Sequence, residues 1–304
     1  MRDMTATVRS LVVGAGGQVG AQILSQLGPA LSVPTARIAA AKGWLSLDLS
    51  QLEHVAALER ELEEISLGAI YCVGGMTNVE LCESNADLAM RTNCTGPELL
   101  AKMAYERNIP FVYFSTEYVF DGTSGPYREE SPGSPISVYG KSKWEGEHAV
   151  QAAHPGALII RTTVVYGPDA GGKNFLAALR QKLSSGDNFR VPADQISTPT
   201  YNYDLASTTV GLVQRGATGI FHVCGPERLS RLDFSRRAAS FWGLDTELIR
   251  GVPTALLGQK APRPLQAGLD ITKLQTLYPE FAMRNLESCL EDWGKRESYK
   301  QMSR

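Results

Sequence analysis

Apolar residues in this chain gather into short unbroken runs instead of alternating with polar ones. Leu11 to Val13, Ala69 to Val73, Phe111 to Phe114 and Leu158 to Ile160 are continuous apolar segments separated by stretches with helical spacing. Those stretches include Leu52 to Ile65, Ala86 to Glu106 and Ser137 to Ala153. A strand that is apolar at every position needs cover on both faces, and strands that alternate with helices lie parallel in one sheet. The pattern therefore predicts an α/β fold built on a doubly wound parallel sheet. A second strand is expected around Ala30 to Pro34 and a third around Trp44 to Leu47.

After Val165-Tyr166-Gly167-Pro168 the alternation gives way to Gly- and Pro-punctuated segments, among them Asp169 to Lys173 and Pro253 to Pro264. Gly219 to Val223 still has the character of a sheet strand. The expected organisation is a flexible tail over 1–9, a nucleotide-binding unit over 10–167, and a smaller region over 168–304 that is interleaved with the core. No internal repeat or low-complexity segment is present.

The 304 residues suffice for a sizeable core. A formal net charge of -2 without any block of Lys or Arg gives no reason to expect nucleic acid or an anionic membrane as partner. Cys72, Cys82, Cys94, Cys224 and Cys289 form no CxxC pair and read as buried free thiols of a reducing compartment. His54, His148, His154 and His222 lack metal-ligand spacing, so no metal is predicted. Residues 1 to 9 are polar and mixed in charge, without the apolar core of a secretory signal, and no run approaches a membrane span. A cytoplasmic protein is expected.

Three local features bear on chemistry. The first apolar run leads into Gly14-Ala15-Gly16-Gly17-Gln18-Val19-Gly20 and then a helical stretch. Glycines there permit a tight turn and let the backbone approach a pyrophosphate, which would rest on the amides at the positive end of the helix. A glycine turn made only for packing has the same appearance. The run from Phe111 ends in Ser115 and Thr116, at the carboxyl end of a strand where open parallel sheets bind ligands; a hydroxyl can also cap a turn there. Tyr139 and Lys143 stand four apart in a helical segment and so share a face. An ammonium near a phenol favours the phenolate, so the Tyr139 pKa is expected to fall towards neutrality, which suits proton transfer in carbonyl reduction or alcohol oxidation.

The end of the second strand refines the cofactor. An acid there would bind the ribose hydroxyls of NAD, but no Asp or Glu occurs between Gly20 and Asp48, whereas Thr35, Arg37 and Lys42 do. A cation at this place pairs with a 2′-phosphate, so NADP is preferred over NAD.

Taken in order, the glycine turn, Thr116, Tyr139 and Lys143 resemble the short-chain dehydrogenase/reductase superfamily in its extended, sugar-nucleotide branch. Within that branch the chain is similar to the dTDP-4-dehydrorhamnose reductases and to the regulatory beta subunit of methionine adenosyltransferase. The closer likeness lies in Ser115 to Gly122, Val138 to Lys143, Asp194-Gln195 with Pro199-Thr200, and Pro262-Arg263-Pro264 with Leu269-Asp270 and Lys273-Leu274.

The resemblance implies a Rossmann-type fold and reduction of the 4-keto group of a nucleotide-activated deoxysugar by NADPH. Tyr139 would supply the proton, Thr116 would bond the carbonyl oxygen, and Lys143 would bind the nicotinamide ribose. Cofactor contacts would come from Gly14, Gly17, Gln18, Val19, Gly20, Arg37, Asp48, Leu49, Gly74 and Gly75, with Asp48 at the adenine. Asn93 matches an Asn that holds the active-site backbone or a water. Substrate contacts would come from Thr77, Asn78, Val79, Thr116, Tyr118, Val164, Asn174, Gln195 and Arg263. Arg263 would meet the diphosphate, or instead make a structural ion pair.

Two departures are informative. Dehydratases of this branch carry an acidic pair after the Thr, whereas Glu117 is followed by Tyr118, which argues against dehydration. Rhamnose-forming reductases commonly have Trp where this chain has Val164. dTDP-4-dehydro-L-rhamnose leads as substrate, with another deoxysugar nucleotide close behind. The alternatives in function are an epimerase and a non-catalytic NADP-binding regulatory subunit; a homodimer is compatible with either.

Overall fold

A computed structural model of the chain describes residues 7–169, 171–172 and 174–302, the side chains as far as 298. The expected tail falls partly outside these residues at 1–6, as do Ala170 and Lys173 of the Gly-rich segment. Seven strands form one parallel sheet in the order Gly219–His222, β6 (Leu158–Thr162), β5 (Phe111–Thr116), β4 (Leu67–Cys72), β1 (Arg9–Val13), β2 (Ser32–Ala36), β3 (Leu45–Ser46). This is the doubly wound Rossmann arrangement.

The unbroken apolar runs follow from burial on both faces. Leu11, Val13, Ile70, Cys72, Phe111, Tyr113 and Ile159 point into one core layer with α2 (Leu52–Glu61), α5 (Gly96–Glu106) and the end of α6 (Val138–Ala153). Val12, Ala69, Tyr71, Val112, Phe114, Leu158 and Ile160 point into the other, with Ile23 of α1 (Gln18–Leu27) and Leu205, Ala206 and Val210 of the Asn202–Gln214 helix. A third core, with Tyr166, Leu176, Tyr201, Phe234, Leu290 and Trp293, belongs to the C-terminal region. No helix among the described residues is long and apolar enough to cross a membrane. All five cysteines are free and buried.

Several element boundaries differ from the expected ones. β1 begins at Arg9, inside the expected tail, because its guanidinium donates to the Ser32 carbonyl at 2.7 Å. β2 starts two residues late because Pro29–Leu31 forms a short helical turn first. α2 stops at Glu61 and not Ile65: Glu59, Glu61, Glu63 and Glu64 crowd the negative end of its dipole. A further short helix, α3 (Val79–Ser84), precedes the stretch 86–106, which is itself divided into α4 (Ala86–Met90), a π-turn at Arg91–Thr95, and α5.

One buried ion pair locks α6 to the sheet. Arg161 of β6 and Glu147 of α6 are each 1% exposed. They join through two bonds, Nε to Oε1 at 2.9 Å and Nη2 to Oε2 at 2.6 Å. Nη1 donates to the Glu129 carbonyl at 3.1 Å, and the Phe120 and Trp144 rings flank the guanidinium. With both charges fully committed, removing one strands the other. Glu147→Gln is expected to lower unfolding free energy by about 3–5 kcal/mol, and the double change Arg161→Met with Glu147→Met to recover most of it. Urea titrations of the three proteins measure both.

Candidate active site

Ser137 starts α6 by accepting from the Gly140 amide at 3.1 Å, which places Tyr139 and Lys143 in the first two turns. Both are buried, at 9% and 5% exposure. The helix lies so close to its neighbours that two of its residues have no room for a side chain. A methyl group at Gly140 would overlap the Tyr118 carbonyl oxygen, and one at Gly146 would overlap the Asn93 carbonyl oxygen and the Tyr113 hydroxyl.

Asn93, within the π-turn, ties this region together. Its Oδ1 accepts from the Met76 amide at 2.8 Å, and Nδ2 donates to the Met76 carbonyl at 3.0 Å and to Ser142 Oγ at 2.9 Å. Its carbonyl accepts from the Tyr113 hydroxyl at 2.5 Å. Ser142 in turn donates to the Tyr139 carbonyl at 2.8 Å. Of the two roles expected for Asn93, holding the backbone is the one these bonds perform.

The Thr116 side chain is close enough to favour the Tyr139 phenolate, and its Oγ1 accepts from the Tyr118 amide at 3.3 Å. Tyr118 meets Tyr139 edge to face, with ring centroids 5.3 Å apart. Lys143 Nζ sits 3.9 Å from the Tyr113 ring centroid. It makes no hydrogen bond or ion pair among the described residues, and a methyl group at Gly75 would lie 3.9 Å from it.

The proton affinities correct one expectation. Burial pushes the Tyr139 phenol above its ordinary value, although Thr116 opposes the shift. Burial likewise pulls Lys143 down to about 8. Loss of water penalises both charged forms and is the largest influence on each. Nearby thiols supply no counter-charge, because burial pushes Cys72 up to about 12 and Cys82 to about 11.

The glycine turn divides by role. Gly14, at φ +80°, is pressed against Gly74, whose Cα would lie 2.6 Å from an added methyl group; Gly20 is pressed against the Gly14 carbonyl. These two glycines serve backbone packing. Gly16 and Gly17 are exposed, and Gly17 caps α1 with no side chain bonded to it and no acid in the first turn. Gln18 donates to the Val165 carbonyl at 3.0 Å while its Oε1 is buried without a partner. Val19 packs beneath against the sheet.

Arg37 is exposed directly after β2. Asp48 receives the Ser50 amide at 2.9 Å and hydroxyl at 2.7 Å through one oxygen, leaving Oδ2 unengaged by these bonds. Leu49 Cδ1 would touch a methyl group at Gly74 at 3.3 Å. Trp44, which the sequence did not single out, lies 4.0 Å from where a Gly16 methyl would be. The Gly17 amide donates to the Gly14 carbonyl at 3.0 Å, but an uncapped helix start, a cation beyond β2 and an ammonium without a hydrogen-bond acceptor near Gly75 fit a phosphorylated dinucleotide.

The residues expected to meet substrate differ in their surroundings. Thr77 and Asn78 are exposed, Asn78 capping α3 through the Leu81 amide at 3.0 Å, and Val79 packs near Tyr139. Arg263 is only 9% exposed and pairs with Glu80 at 2.8 Å, as the structural alternative anticipated, although its Nη1 is buried without a partner. Gln195 donates to Thr254 Oγ1 at 3.0 Å. Asn174 is revised to a capping residue: it accepts from the Ala177 amide at 3.0 Å and donates to the Gly167 carbonyl at 2.8 Å. Val164 has φ +42°, a strained backbone for a β-branched residue.

Two charged residues that act on Tyr118 were not among the expected site residues. Glu117 is buried, takes the Thr163 hydroxyl and the Gly268 amide, and is pushed by burial up to about 7. Arg231, which opens the helix Arg231–Phe241, lies over the Phe175 ring at 4.7 Å and acts electrostatically on Tyr118 and Glu117. Its only sequence signal was a cation at a helix start in a region without motifs.

The family model for the RmlD substrate binding domain matches residues 8–294. A Haloferax volcanii protein named "Probable low-salt glycan biosynthesis reductase Agl14" is 36% identical over 234 residues, covering 75% of this chain and 77% of that one. A dTDP-4-dehydrorhamnose reductase of Mycobacterium tuberculosis is 33% identical over 271 residues, covering 86% and 84%. The crystal structure of dTDP-4-dehydrorhamnose reductase from Bacillus anthracis in complex with NADP is 27% identical, with a TM-score of 0.85 over 95% of this chain and 99% of that one.

The Lys143 shift fixes the sign of a stability effect. Its folded pKa lies below its unfolded value, so the penalty is fully present below pH about 8 and is relieved as pH rises towards 10.5. Lys143→Met is expected to stabilise the fold by about 1–3 kcal/mol at pH 7, with the gain shrinking above pH 8. Denaturant midpoints at pH 7 and pH 9.5 measure the difference.

Proposed function

Because the chain belongs to the RmlD substrate binding domain family, we propose that it is an NADPH-dependent reductase of the 4-keto group of a nucleotide-activated deoxysugar, with dTDP-4-dehydro-L-rhamnose the leading substrate. The observation that carries the reading is the Lys143 ammonium, which rests on the Tyr113 ring with no hydrogen bond or ion pair among the described residues, one helical turn from Tyr139, whose phenol is influenced by Thr116. A buried ammonium without an acceptor is costly, and ribose hydroxyls would satisfy it.

The first amides of α1, reached across the side-chain-free Gly16 and Gly17, would hold the pyrophosphate, Arg37 the 2′-phosphate, and Gly74, Gly75 and Lys143 the nicotinamide end. The bound cofactor supplies hydride. Thr116 and Tyr139 hold the carbonyl oxygen, and Tyr139 releases its proton to that oxygen as negative charge builds on it. A phenol with a raised pKa keeps its proton until the stronger alkoxide base forms, so the raised value still permits transfer in this direction. Arg231, and Arg263 if drawn from Glu80, would meet the diphosphate on the far side of Tyr118. Free buried thiols fit the reducing cytoplasm.

Tyr139→Phe is expected to cut kcat by about 10²–10⁴ while NADPH binding persists. Arg231→Ala is expected to raise KM about 10-fold or more with little change in kcat. NADPH oxidation with a panel of nucleotide keto-sugars measures both. Firm NADPH binding with no oxidation by any of them refutes the reductase reading in favour of a regulatory role.

A further inference from the structure

Glu117 is a buried carboxylate whose neighbours tolerate either protonation state. One oxygen receives the Thr163 hydroxyl, and the other receives the Gly268 amide at 2.9 Å. A hydroxyl can turn from donor to acceptor. When Glu117 is protonated it can donate to Thr163 and still accept from Gly268, so neither contact need break. What changes is the charge presented to the cleft.

The groups facing that charge come from several elements. Arg228 and Arg231 act on Glu117 as cations, and the Tyr118, Tyr139 and Cys224 groups feel it as an anion. Neither arginine has a carboxylate bonded to it among the described residues: Arg228 Nε donates to the Ala267 carbonyl at 2.8 Å, and Arg231 stacks on Phe175. The ionised Glu117 is the carboxylate that acts on Arg231, and it partly cancels the attraction of this wall for a second anion.

We infer that Glu117 is a positioning residue that sets the anion affinity of the Arg231 wall, so that the diphosphate of a nucleotide sugar binds together with one proton taken up by this carboxyl. The inference rests on the nucleotide-sugar reading above. Burial already pushes Glu117 to about 7, and a diphosphate beside Arg231 raises it further, since like charges disfavour ionisation. Binding in the neutral range then draws a proton from solvent, and affinity falls as pH rises.

The probe is dTDP-glucose, which lacks a reactive ketone and whose diphosphate does not titrate near neutrality. For the unaltered protein loaded with NADP, its affinity is expected to fall about five- to tenfold from pH 6 to pH 8.5, one pKa unit of coupling being tenfold. Calorimetry in two buffers of different ionisation enthalpy is expected to show uptake of about half a proton at pH 7. Glu117→Gln keeps both hydrogen bonds and is expected to hold the low-pH affinity throughout, without that uptake. Lys143 is the same in both proteins, so the difference isolates Glu117. Should Glu117→Gln not fold, the uptake by the unaltered protein and its loss in Arg231→Met carry the test. Equal pH dependence in the two proteins, or no uptake, overturns the inference and leaves the nucleotide-sugar reading standing. Firm NADP binding with no binding of dTDP-glucose at any pH overturns both.

Discussion

The site depends on how closely one helix approaches the sheet. α6 comes near enough to β5 and the π-turn that position 146 can carry no side chain, and the Asn93 carbonyl and Tyr113 hydroxyl occupy that space. In a regular helix the residue 93 carbonyl would face the amide of residue 97, but Pro97 has no amide hydrogen, and the carbonyl is left available to Tyr113. Tyr113 then serves twice, through its hydroxyl on Asn93 and through its ring beneath Lys143. Moving α6 outward would loosen the proton donor, the ammonium and the Met76 backbone together. The Arg161–Glu147 pair, deeper on the same helix, opposes that movement.

The same closeness excludes water, and exclusion of water dominates the electrostatics. It holds Tyr139 protonated and makes Lys143 a reluctant cation, and it leaves Glu117 undecided at neutral pH. Three groups that would be unremarkable in solution are thereby brought to where a bound anion or cation changes their state. The protein carries a net charge of only -2, so its field is local. The Arg231 and Arg263 guanidiniums act on Tyr118, and the Lys143 ammonium lies over the Tyr113 ring.

The sheet was legible because strands covered on both faces leave uninterrupted apolar runs, and Leu11 to Val13 or Phe111 to Phe114 have no other reading in an alternating chain. The order of glycine turn, Thr116, Tyr139 and Lys143 was legible because each lies at the end of a strand or the start of a helix. The direction of the Tyr139 shift was not, since a four-residue spacing reports proximity along a helix and nothing about what covers it. Partnerships across long separations were equally hidden: Glu80 reaches Arg263, and Glu117 reaches Gly268, only once the C-terminal segment folds back. Asn174 looked like a ligand contact because caps and ligand contacts call on the same side chains.

The Gly219–His222 strand completes the edge of the sheet beside β6, and this has a consequence for how the chain is made. On the ribosome, β1 to β6 emerge well before their last neighbour. At about 5–20 residues per second, several seconds separate β6 from the strand that covers its open edge. During that interval the nascent chain exposes unpaired amides and carbonyls beside the apolar side chains of Leu158 to Ile160. The helix that packs under α1, Asn202–Gln214, arrives only just ahead of the closing strand. A messenger broken between residues 167 and 219 would yield a sheet whose β6 edge lacks its Gly219–His222 neighbour.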